Sequence, residues 1–403
     1  MSTTTQTSAG RRIEALLDDC SFVEIGGLVT ARNTDFNLAD IDTPADGVIT
    51  GYGTVDGKLV YVYSQDPAVL GGSIGEMHAK KIVNIYDMAL KMGAPVIGMI
   101  DCAGLRLQEA TDALNAFGQI YLKQSESSGV IPQITAVFGT CGGGLALMPS
   151  LTDFTFMEEK NAKLFVNSPN TLDGNKDLNT ASAAFQSEQA GIVDFVGDEA
   201  SIFDGIRELI SLLPSNNDDE AVAECTDDLN RICDGLEGLK ADPVHMLSSV
   251  SDNNVFVETK KNFAKELVTG FIRLNGATVG AVANRSEIFG EDGSEKSFDK
   301  TLTTGACYKA AEFVDFCDAF GIPVLTVTDV KGFDATVASE RSVSKAAAKL
   351  TYAFASATVP KVNVIVGEAF GSAYVAMNSK SIGADVTYAW PDPYHVCRQA
   401  GAY

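Results

Sequence analysis

Two glycine-rich segments are places where backbone atoms could do chemistry. Residues 139–144 read GTCGGG and residues 367–372 read GEAFGS, and each segment follows an apolar run typical of a buried strand. A helix that starts behind such a corner presents free N–H groups, and its dipole adds positive potential there. A phosphate or an oxyanion could bind at such a position, although glycine also serves to let a helix pack close to a strand. The candidate residues are Gly143 and Gly144, with Gly371, Ser372 and Ala373 as their counterparts.

Side-chain chemistry has weaker support in this sequence. The chain contains no GxxxxGK[ST] motif and no GxGxxG that opens a βαβ unit, which disfavours nucleotide binding of those kinds. Its three histidines, His78, His245 and His395, do not fall at metal-ligand spacing. Asp101 and Asp329 follow equivalent apolar runs, where aspartate is more typical of a turn or a cap than of a catalytic acid. The chemistry is therefore assigned to backbone amides.

The elements that must position these corners occur twice in the chain. Residues near 51–157 and near 270–390 match at one offset, as Gly93 and Gly321 illustrate (321 − 93 = 228). The other identical pairs at this offset are Lys81 and Lys309, Pro95 and Pro323, Asp101 and Asp329, Gly104 and Gly332, Pro132 and Pro360, Gly139 and Gly367, and Gly143 and Gly371. Turn chemistry common to many folds does not produce so many identities at one offset. The sequence therefore predicts two copies of one α/β unit.

Each copy has the pattern of a hairpin, an amphipathic helix, a buried strand, a second helix and a strand that runs into the glycine corner. Asp56-Gly57 and Asn275-Gly276 are the predicted hairpin turns. Strands are predicted over 96–100, 133–138, 324–328 and 361–366. The predicted buried helix stripes are Ile82, Ile85, Tyr86, Ala89 and Met92 in the first copy, and Ala310, Phe313, Val314, Cys317 and Phe320 in the second. The acidic, polar stretch 214–254 is predicted to be a linker with a short amphipathic piece.

Composition limits the classes of partner. The 403 residues include 30 Lys and Arg against 53 Asp and Glu, a formal net charge of −23 that disfavours nucleic acid and anionic membrane surfaces. The polar first ten residues do not resemble a signal peptide, and no uninterrupted apolar run has membrane-spanning length. The eight cysteines form no CxxC and are predicted to be free thiols. We therefore expect a cytoplasmic protein without direct membrane insertion.

The glycine corners, together with their flanking motifs, resemble the carboxyltransferase components of biotin-dependent acyl-CoA carboxylases and decarboxylases. The matching stretches include DGVITGYGTVDGKLVYVYSQDPAVLGGSIGEMHAKKI, GAPVIGMIDCAGLRLQE and GVIPQITAVFGTCGGG in the first half. In the second half they include ELVTGFIRLNGATVGAVANR, GIPVLTVTDVKGF and ATVPKVNVIVGEAFGSAYVAMNSKSIGADVTYAWP. The resemblance implies an α/β fold of two tandem crotonase-like ββα-spiral domains. We expect an acyl-CoA domain over 1–240 and a biotin domain over 241–403, the latter truncated.

The resemblance also implies a function and a site. Gly143 and Gly144 would form one oxyanion hole, and Gly371, Ser372 and Ala373 a second. Carboxyl transfer between carboxybiotin and a short acyl-CoA, such as acetyl-CoA or propionyl-CoA, would pass through an enolate in each hole, with the cofactor rather than the protein as base. Implied substrate-binding positions are Gly104, Arg106, Gly142, Gly332 and Phe333. The implied partners are a biotin carboxyl carrier protein, a biotin carboxylase or membrane decarboxylase subunits, and further copies of this chain, from a dimer to a hexamer.

Some stretches depart from the family pattern. Residues 170–189 lack the usual Gly-Gly motif, residues 334–343 lack a usual glycine, and the end PDPYHVCRQAGAY matches nothing expected. Three alternatives therefore stay open. They are the decarboxylase α subunit of a sodium-pumping biotin complex, a non-catalytic CoA-binding or assembly subunit, and a crotonase-type hydratase with Glu109 as its carboxylate. Arg106, Lys80 and Lys81 are candidates for CoA phosphate contacts, but a solvated helix position is the more typical role of such residues.

Overall fold

The computed structural model describes residues 7–33, 41–175, 178–289 and 295–391. The chain divides into two compact units, Met1–Asp219 and Glu220–Tyr403, and each is described by itself. The atypical end after Pro391, with His395 and Cys397, lies outside the described residues, as does part of the 170–189 segment. Among the described residues, no helix is both long and apolar enough to cross a membrane.

The first unit is one mixed sheet covered by helices. Its helices are α1 (Ser8–Leu16), α2 (Glu76–Met92), α3 (Ala110–Ser127), α4 (Leu147–Leu151), α5 (Ala183–Glu188) and α6 (Glu199–Leu212). Its strands are β1 (Val23–Ile25), β2 (Val48–Val55), β3 (Lys58–Gln65), β4 (Val96–Cys102), β5 (Gln133–Gly142), β6 (Phe154–Glu158), β7 (Lys163–Phe165) and β8 (Phe195–Gly197). The sheet order is β1-β2-β3-β4-β5-β6-β8, and β7 pairs with the end of β5. The hairpin β2–β3 is antiparallel, whereas β3 to β8 pair in parallel.

The second unit repeats this plan. Its helices are α7 (Pro243–Val250), α8 (Thr304–Ala319), α9 (Val337–Glu340), α10 (Val343–Ser356) and α11 (Gly371–Ala376). Its strands are β9 (Phe256–Thr259), β10 (Leu267–Leu274), β11 (Ala277–Asn284), β12 (Glu287–Phe289), β13 (Glu295–Ser297), β14 (Thr301–Leu302), β15 (Val324–Val330), β16 (Gly332–Phe333), β17 (Lys361–Ala369) and β18 (Val386–Ala389). The main sheet runs β18-β17-β15-β11-β10-β9, again with an antiparallel hairpin followed by parallel strands.

The predicted α/β architecture, the four strands and the two hairpins are confirmed. Both hairpin turns have two residues at positive φ, as a type I′ turn requires: 48° and 80° at Asp56 and Gly57, and 53° and 79° at Asn275 and Gly276. The apolar stripes of α2 and α8 are buried as predicted, except that Met92 is 61% exposed at the end of α2. Gly93 ends α2 in the left-handed conformation, at φ 62°.

A buried lysine of each copy shows that the duplication extends to individual contacts. The Lys81 ammonium in α2 donates to the carbonyls of Ala45 and Val48. Its counterpart Lys309 in α8 donates to carbonyls on the segment that leads into β10, at 2.7 Å in the case of Leu267. Each lysine thereby ties the first helix of its copy to the start of the hairpin, because a buried ammonium must find acceptors. The expectation that Lys81 is solvated was wrong.

The stretch 214–254 is more closely packed than a free linker. The backbone of Ala223 donates to Gly276 O at 2.9 Å, and Thr278 donates to Ala221 O at 2.8 Å, so this segment pairs with the β10–β11 hairpin. Met246 and Leu247 of α7 are buried in the core of the second unit. Residues 220–254 are therefore part of that unit, whereas 214–219 belong to the first, and the stretch forms no third core, as predicted.

The two hairpin turns provide a matched pair of substitutions. At Gly57 an added Cβ has no atom within 4 Å, whereas at Gly276 it would lie 2.0 Å from the carbonyl oxygen of Ala223. We expect Gly57→Ala to lower the free energy of unfolding by about 1 kcal/mol, since left-handed backbone is its only penalty. Gly276→Ala adds a clash and should lower it by about 1–3 kcal/mol more. Urea unfolding followed by circular dichroism measures both, and equal losses would contradict the packing of residues 221–223 on the hairpin.

Candidate active site

The first glycine corner is formed where β5 ends. Gly142 is followed directly by a 3-10 turn, Gly143–Ala146, which leads into α4. Gly143 has a φ of 66°, and a Cβ at this position would meet no atom within 4 Å. The preceding residue is Gly142, so no side chain caps the turn. The N–H groups of Gly143 and Gly144 begin the turn and have no carbonyl partner within it.

The second corner has the same construction. The strand β17 ends at Ala369, and α11 begins at Gly371, whose φ is 59°. Phe370 stands at the cap position and supplies no side-chain hydrogen bond. Gly371 and Ser372 are exposed, whereas Ala373 is buried. Both copies thus present the first amides of a helix at a left-handed glycine with open space beside it, which is the geometry of a backbone site for an oxyanion.

Two aromatic side chains support the first corner. The Tyr121 hydroxyl in α3 donates to the carbonyl oxygen of Gly144. An added Cβ at Gly142 would lie 2.7 Å from the ring of Phe165 in β7, so only glycine fits at this position. Neither aromatic residue was predicted from the sequence. Tyr121 lies on a different helix and Phe165 on a short strand, so that no local spacing pointed to either.

Arg106 is buried in an ion cluster rather than solvated. It is 1% exposed, and its Nη1 lies 2.5 Å from Asp46 Oδ1 and 3.0 Å from Glu109 Oε1. Its Nη2 also donates to the carbonyl of Ser73 at 2.7 Å. The predicted solvated position was therefore wrong for Arg106, whereas it is confirmed for Lys80, whose side chain is 52% exposed. The guanidinium of Arg106 thus finds its hydrogen-bond acceptors within the protein, on Asp46, Ser73 and Glu109.

The cluster ties together three segments that precede or follow β4. Asp46 has a φ of 50°, and its carboxylate also accepts from the backbone N–H of His78 at 2.7 Å. Burial raises the pKa of Asp46, and the neighbouring Arg106 opposes that shift. Burial lowers the pKa of His78 to about 3, so this imidazole is neutral near neutral pH. Glu109 is 3% exposed and accepts from the backbone N–H of Glu76, which removes it from the surface that a hydratase acid would need.

The other substrate-binding residues expected from the sequence lie at strand ends. Gly104 is buried at φ 102°, and its carbonyl accepts from Ile74 N–H at 2.9 Å. In the second unit Gly332 and Phe333 form β16, which pairs with β14, and both are half-buried. Their roles in binding stay predictions. Within the described part of the chain no cluster of histidine, cysteine or carboxylate side chains could hold a metal ion.

Comparison with known proteins identifies the family. The model of the carboxyl transferase domain matches residues 5–394, nearly the whole chain. The chain belongs to this family. The methylmalonyl-CoA decarboxylase subunit alpha of Propionigenium modestum is 41% identical over 399 residues, which cover 95% of this chain and 75% of that one. The propionyl-CoA carboxylase carboxyltransferase subunit of Haloferax mediterranei is likewise 41% identical, over 95% of this chain and 76% of the relative.

Solved structures agree with the family assignment. The carboxyltransferase described here resembles a transcarboxylase 12S crystal structure with a TM-score of 0.88 and 36% identity, over 96% of this chain and 76% of that one. That structure is described as a hexamer with hydrolysed methylmalonyl-coenzyme A bound. The predicted crotonase-like fold and the predicted class of enzyme, a carboxyltransferase of acyl-CoA carboxylases or decarboxylases, are thereby confirmed.

Replacing Arg106 separates a structural role from a phosphate contact. Arg106→Met would leave the carboxylates of Asp46 and Glu109 buried without their cation, and we expect a loss of about 3–5 kcal/mol in the free energy of unfolding. Lys80→Met removes an exposed pair with Glu76 and should cost less than about 1 kcal/mol. Urea unfolding gives both values. An unchanged unfolding midpoint for Arg106→Met, together with weaker binding of CoA, would instead support a direct phosphate contact.

Proposed function

We propose that this carboxyltransferase moves a carboxyl group between carboxybiotin on a carrier protein and a short acyl-CoA, with propionyl-CoA and methylmalonyl-CoA as the acyl pair. The observation that carries the proposal is that each unit has a helical turn that begins at a left-handed glycine and lacks a side-chain cap, at Gly143 and at Gly371. The relatives are named for propionyl-CoA and methylmalonyl-CoA, which supports a three-carbon acyl group.

The first corner is proposed to hold the thioester oxygen of the acyl-CoA. The amides of Gly143 and Gly144 would donate to this oxygen as it gains negative charge in the enolate, and the dipole of the turn would add to the effect. Gly144 is exposed and Gly143 is half-buried, so a ligand can reach both N–H groups. The backbone donors are fixed before the reaction, which is why they need no reorganisation when charge develops. Gly104 and Gly142 are proposed to line the same site.

The second corner is proposed to receive biotin, which supplies the carboxyl group and a basic ureido nitrogen when bound. The residues present fit a ring carbonyl: Gly371 has no atom within 4 Å of an added Cβ, and Ser372 is exposed. The amides of Gly371, Ser372 and Ala373 would donate to the carbonyl oxygen. Gly332 and Phe333 form β16, just after the strand β15 that pairs with β17, and they are proposed to contact the same group. The chain itself then has only to bind, orient and stabilise charge.

The proposed partners follow from the same chemistry. Biotin must arrive on a carrier, and a biotin carboxylase or membrane decarboxylase subunits would complete the reaction cycle. A homo-oligomer, from a dimer to a hexamer, is supported by the hexamer described for the transcarboxylase 12S neighbour. The direction of the reaction has two candidates, because relatives at 41% identity are named both as a carboxylase and as a decarboxylase subunit. A cytoplasmic location stays a prediction.

Removing one amide from each corner tests the proposal. Proline has no N–H and is tolerated in the first turn of a helix, so Gly144→Pro and Ser372→Pro each delete one proposed donor. We expect each to lower kcat by about 10²–10³-fold, the loss typical of one oxyanion-hole donor. The assay is carboxyl transfer from methylmalonyl-CoA to free biotin, with the biotinylated carrier as a second acceptor.

Matched variants separate the amide from the added side chain. Gly144→Ala and Ser372→Ala keep the N–H groups and should lose much less activity than the proline variants. Ala184→Pro places proline at an exposed position in the first turn of α5, which supplies no proposed donor, and should keep wild-type kcat. The proposed function would be contradicted by a folded wild-type oligomer that transfers no carboxyl group from methylmalonyl-CoA to biotin and none from carboxybiotin to propionyl-CoA or acetyl-CoA. Binding of CoA without any carboxyl transfer would point to the non-catalytic alternative.

A further inference from the structure

Two of the repeated identities are in contact with each other in both copies. An added Cβ on Gly139 would lie 1.9 Å from the Oδ1 atom of Asp101, and one on Gly367 would lie 2.4 Å from Oδ1 of Asp329. Neither glycine has a positive φ, so backbone conformation does not explain why glycine occupies these positions. The neighbouring carboxylate explains it, because any side chain would displace the aspartate. Each copy therefore contains an Asp–Gly contact between its two central parallel strands.

This contact lies at an irregularity that both copies share. In β4 and β5, Ile100 pairs with Val137 but Cys102 pairs with Cys141, so that Asp101 faces three residues, 138, 139 and 140. In β15 and β17, Thr328 pairs with Ile365 and Val330 with Ala369, which leaves Asp329 opposite residues 366, 367 and 368. Such a bulge bends a strand and redirects the residues on its C-terminal side. The two extra residues keep the side-chain alternation of the strand, because its period is two.

Hydrogen bonds and ion pairs also hold the two carboxylates in place. Asp329 Oδ1 accepts from the backbone N–H of Glu368, inside the bulge, at 2.7 Å. Lys300 Nζ lies 2.8 Å from Asp329 Oδ2, and the aspartate side chain is 4% exposed. In the first copy Asp101 Oδ2 pairs with Arg12 Nη1 of α1 at 3.1 Å. The two copies use unrelated cations for the same purpose, which indicates that the position of the carboxylate matters more than the identity of its partner.

The bulge directly precedes the proposed oxyanion corner. From Gly139 to Gly143, and from Gly367 to Gly371, the chain advances four residues (143 − 139 = 371 − 367 = 4), or roughly 13 Å of extended strand. In both copies the Asp–Gly contact links this stretch to the neighbouring strand, together with one strand pair, Cys102 with Cys141 or Val330 with Ala369. A change in the bend would therefore be carried along the strand to the first amides of the following turn or helix.

We propose that Asp101 and Asp329 are positioning residues, which hold the bulge of the glycine-containing strand and thereby aim the amides of the corner in their own unit. Neither aspartate touches substrate. The inference rests on the proposed function and deepens it, because it assigns one aspartate to the acyl-CoA corner and the other to the biotin corner. Both were expected from the sequence to be turn or cap residues, and this role is a different one.

Conservative substitution of each aspartate tests the proposal. Asp101→Asn and Asp329→Asn keep the shape of the side chain but lose the ion pair, whereas the alanine variants lose the contact altogether. We expect the alanine variants to lower kcat for transfer from methylmalonyl-CoA to free biotin by about 10- to 100-fold, the scale of a misplacement of about 1 Å. The asparagine variants should recover part of that loss. The KM values for methylmalonyl-CoA and biotin should change by less than about threefold, because the direction of the amides matters most for the charge that develops in the enolate.

Two other aspartates, which contact the first residues of the same strands, give matched controls. Asp153 accepts from the backbone N–H of Gln133 at 2.8 Å, at the opposite end of β5, and Asp385 accepts from Lys361 N–H at 2.8 Å, at the opposite end of β17. Asp153→Asn and Asp385→Asn disturb a comparable contact far along the strand from the corner. We expect these two variants to lower the melting temperature but to keep wild-type kcat per CoA-binding site.

A ligand that mimics the enolate assigns the aspartates to their corners. A CoA thioester analogue with a nitronate in place of the enolate carries the negative charge that the first corner is proposed to stabilise. Asp101→Ala should weaken its binding by about 10-fold or more and leave the affinity for CoA itself unchanged. Asp329→Ala should leave both affinities unchanged. Equal losses for both variants would overturn the assignment of one aspartate to each corner.

A double-mutant cycle tests the Asp–Gly contact directly. Gly139→Ala forces the new methyl group against the Asp101 carboxylate, so we expect it to lower kcat in the wild-type background by about 10-fold or more. In the Asp101→Gly background the methyl group has room, and the same substitution should have a much smaller further effect. Additive losses would show that the two residues act independently and would contradict the proposal.

Amide hydrogen exchange separates this proposal from the proposed function. Asp329→Ala should speed exchange in residues 366–373 and leave residues 138–146 unchanged, and Asp101→Ala should do the reverse. An inactive wild-type protein would contradict the proposed function. The exchange pattern would then still show whether each aspartate positions the corner of its own unit. Unchanged kcat in both alanine variants of an active enzyme overturns the positioning role and leaves the function intact. Parallel losses of kcat, CoA affinity and melting temperature would show that the aspartates only stabilise the fold, and would also overturn it.

Discussion

The structure depends on a single backbone constraint, which is a parallel strand that must turn directly into a helix without a side chain to cap its first amides. A left-handed residue makes this turn possible, and Gly143 and Gly371 supply it at φ 66° and 59°. Glycine reaches this conformation at no steric cost, whereas other residues are strained there. The cap residues Gly142 and Phe370 have no side-chain acceptor for these first amides. Amides left free in this way can bind water or a ligand, and the proposed chemistry uses that property.

A free amide can stabilise an oxyanion only if its N–H direction is fixed. Several kinds of contact hold the surroundings of the first corner in place. Its strand lies between parallel neighbours in a buried sheet, and the Tyr121 hydroxyl holds the carbonyl of Gly144. Beside β4 the buried Arg106 joins Asp46 and Glu109, so three chain segments are tied by charges that cannot be separated without strong destabilisation. Gly75 completes this arrangement, since a Cβ there would lie 2.3 Å from the Glu109 carboxylate. Preorganisation of this kind is established once, during folding.

The sequence predicted the elements well because their signals are local or repeated. Strand and helix periodicities, the Asp-Gly and Asn-Gly turns and the 228-residue offset all lie in the order of residues, and the structure confirms them. The roles of Arg106 and Lys81 could not be predicted, because their partners are a left-handed Asp46 and the carbonyls of Ala45 and Val48, which no spacing rule connects to them. Charged side chains are exposed in most proteins, so the general rule failed where buried partners were present. The packing of residues 221–223 on the second hairpin was missed for the same reason, since strand-edge pairing between distant segments leaves no periodic signal.

The comparison of the two copies shows which features a duplicated corner must keep. Positions that stayed identical are those where the backbone or a buried charge leaves no choice: the left-handed glycine, the glycine that faces an aspartate, and the lysine that binds hairpin carbonyls. Side chains around the corners have diverged, since Gly142 beside the Phe165 ring corresponds to Phe370, and Gly144 corresponds to Ser372. If each corner stabilises one oxyanion, both need the same backbone amides. A thioester and a cyclic urea differ in shape, however, so the side chains around each corner would have to differ. Two different ligands that each develop one negative charge would favour the same backbone donors but different surrounding side chains. On the proposed mechanism, the parts that repeat would supply the oxyanion donors, and the parts that differ would set the ligand specificity of each corner.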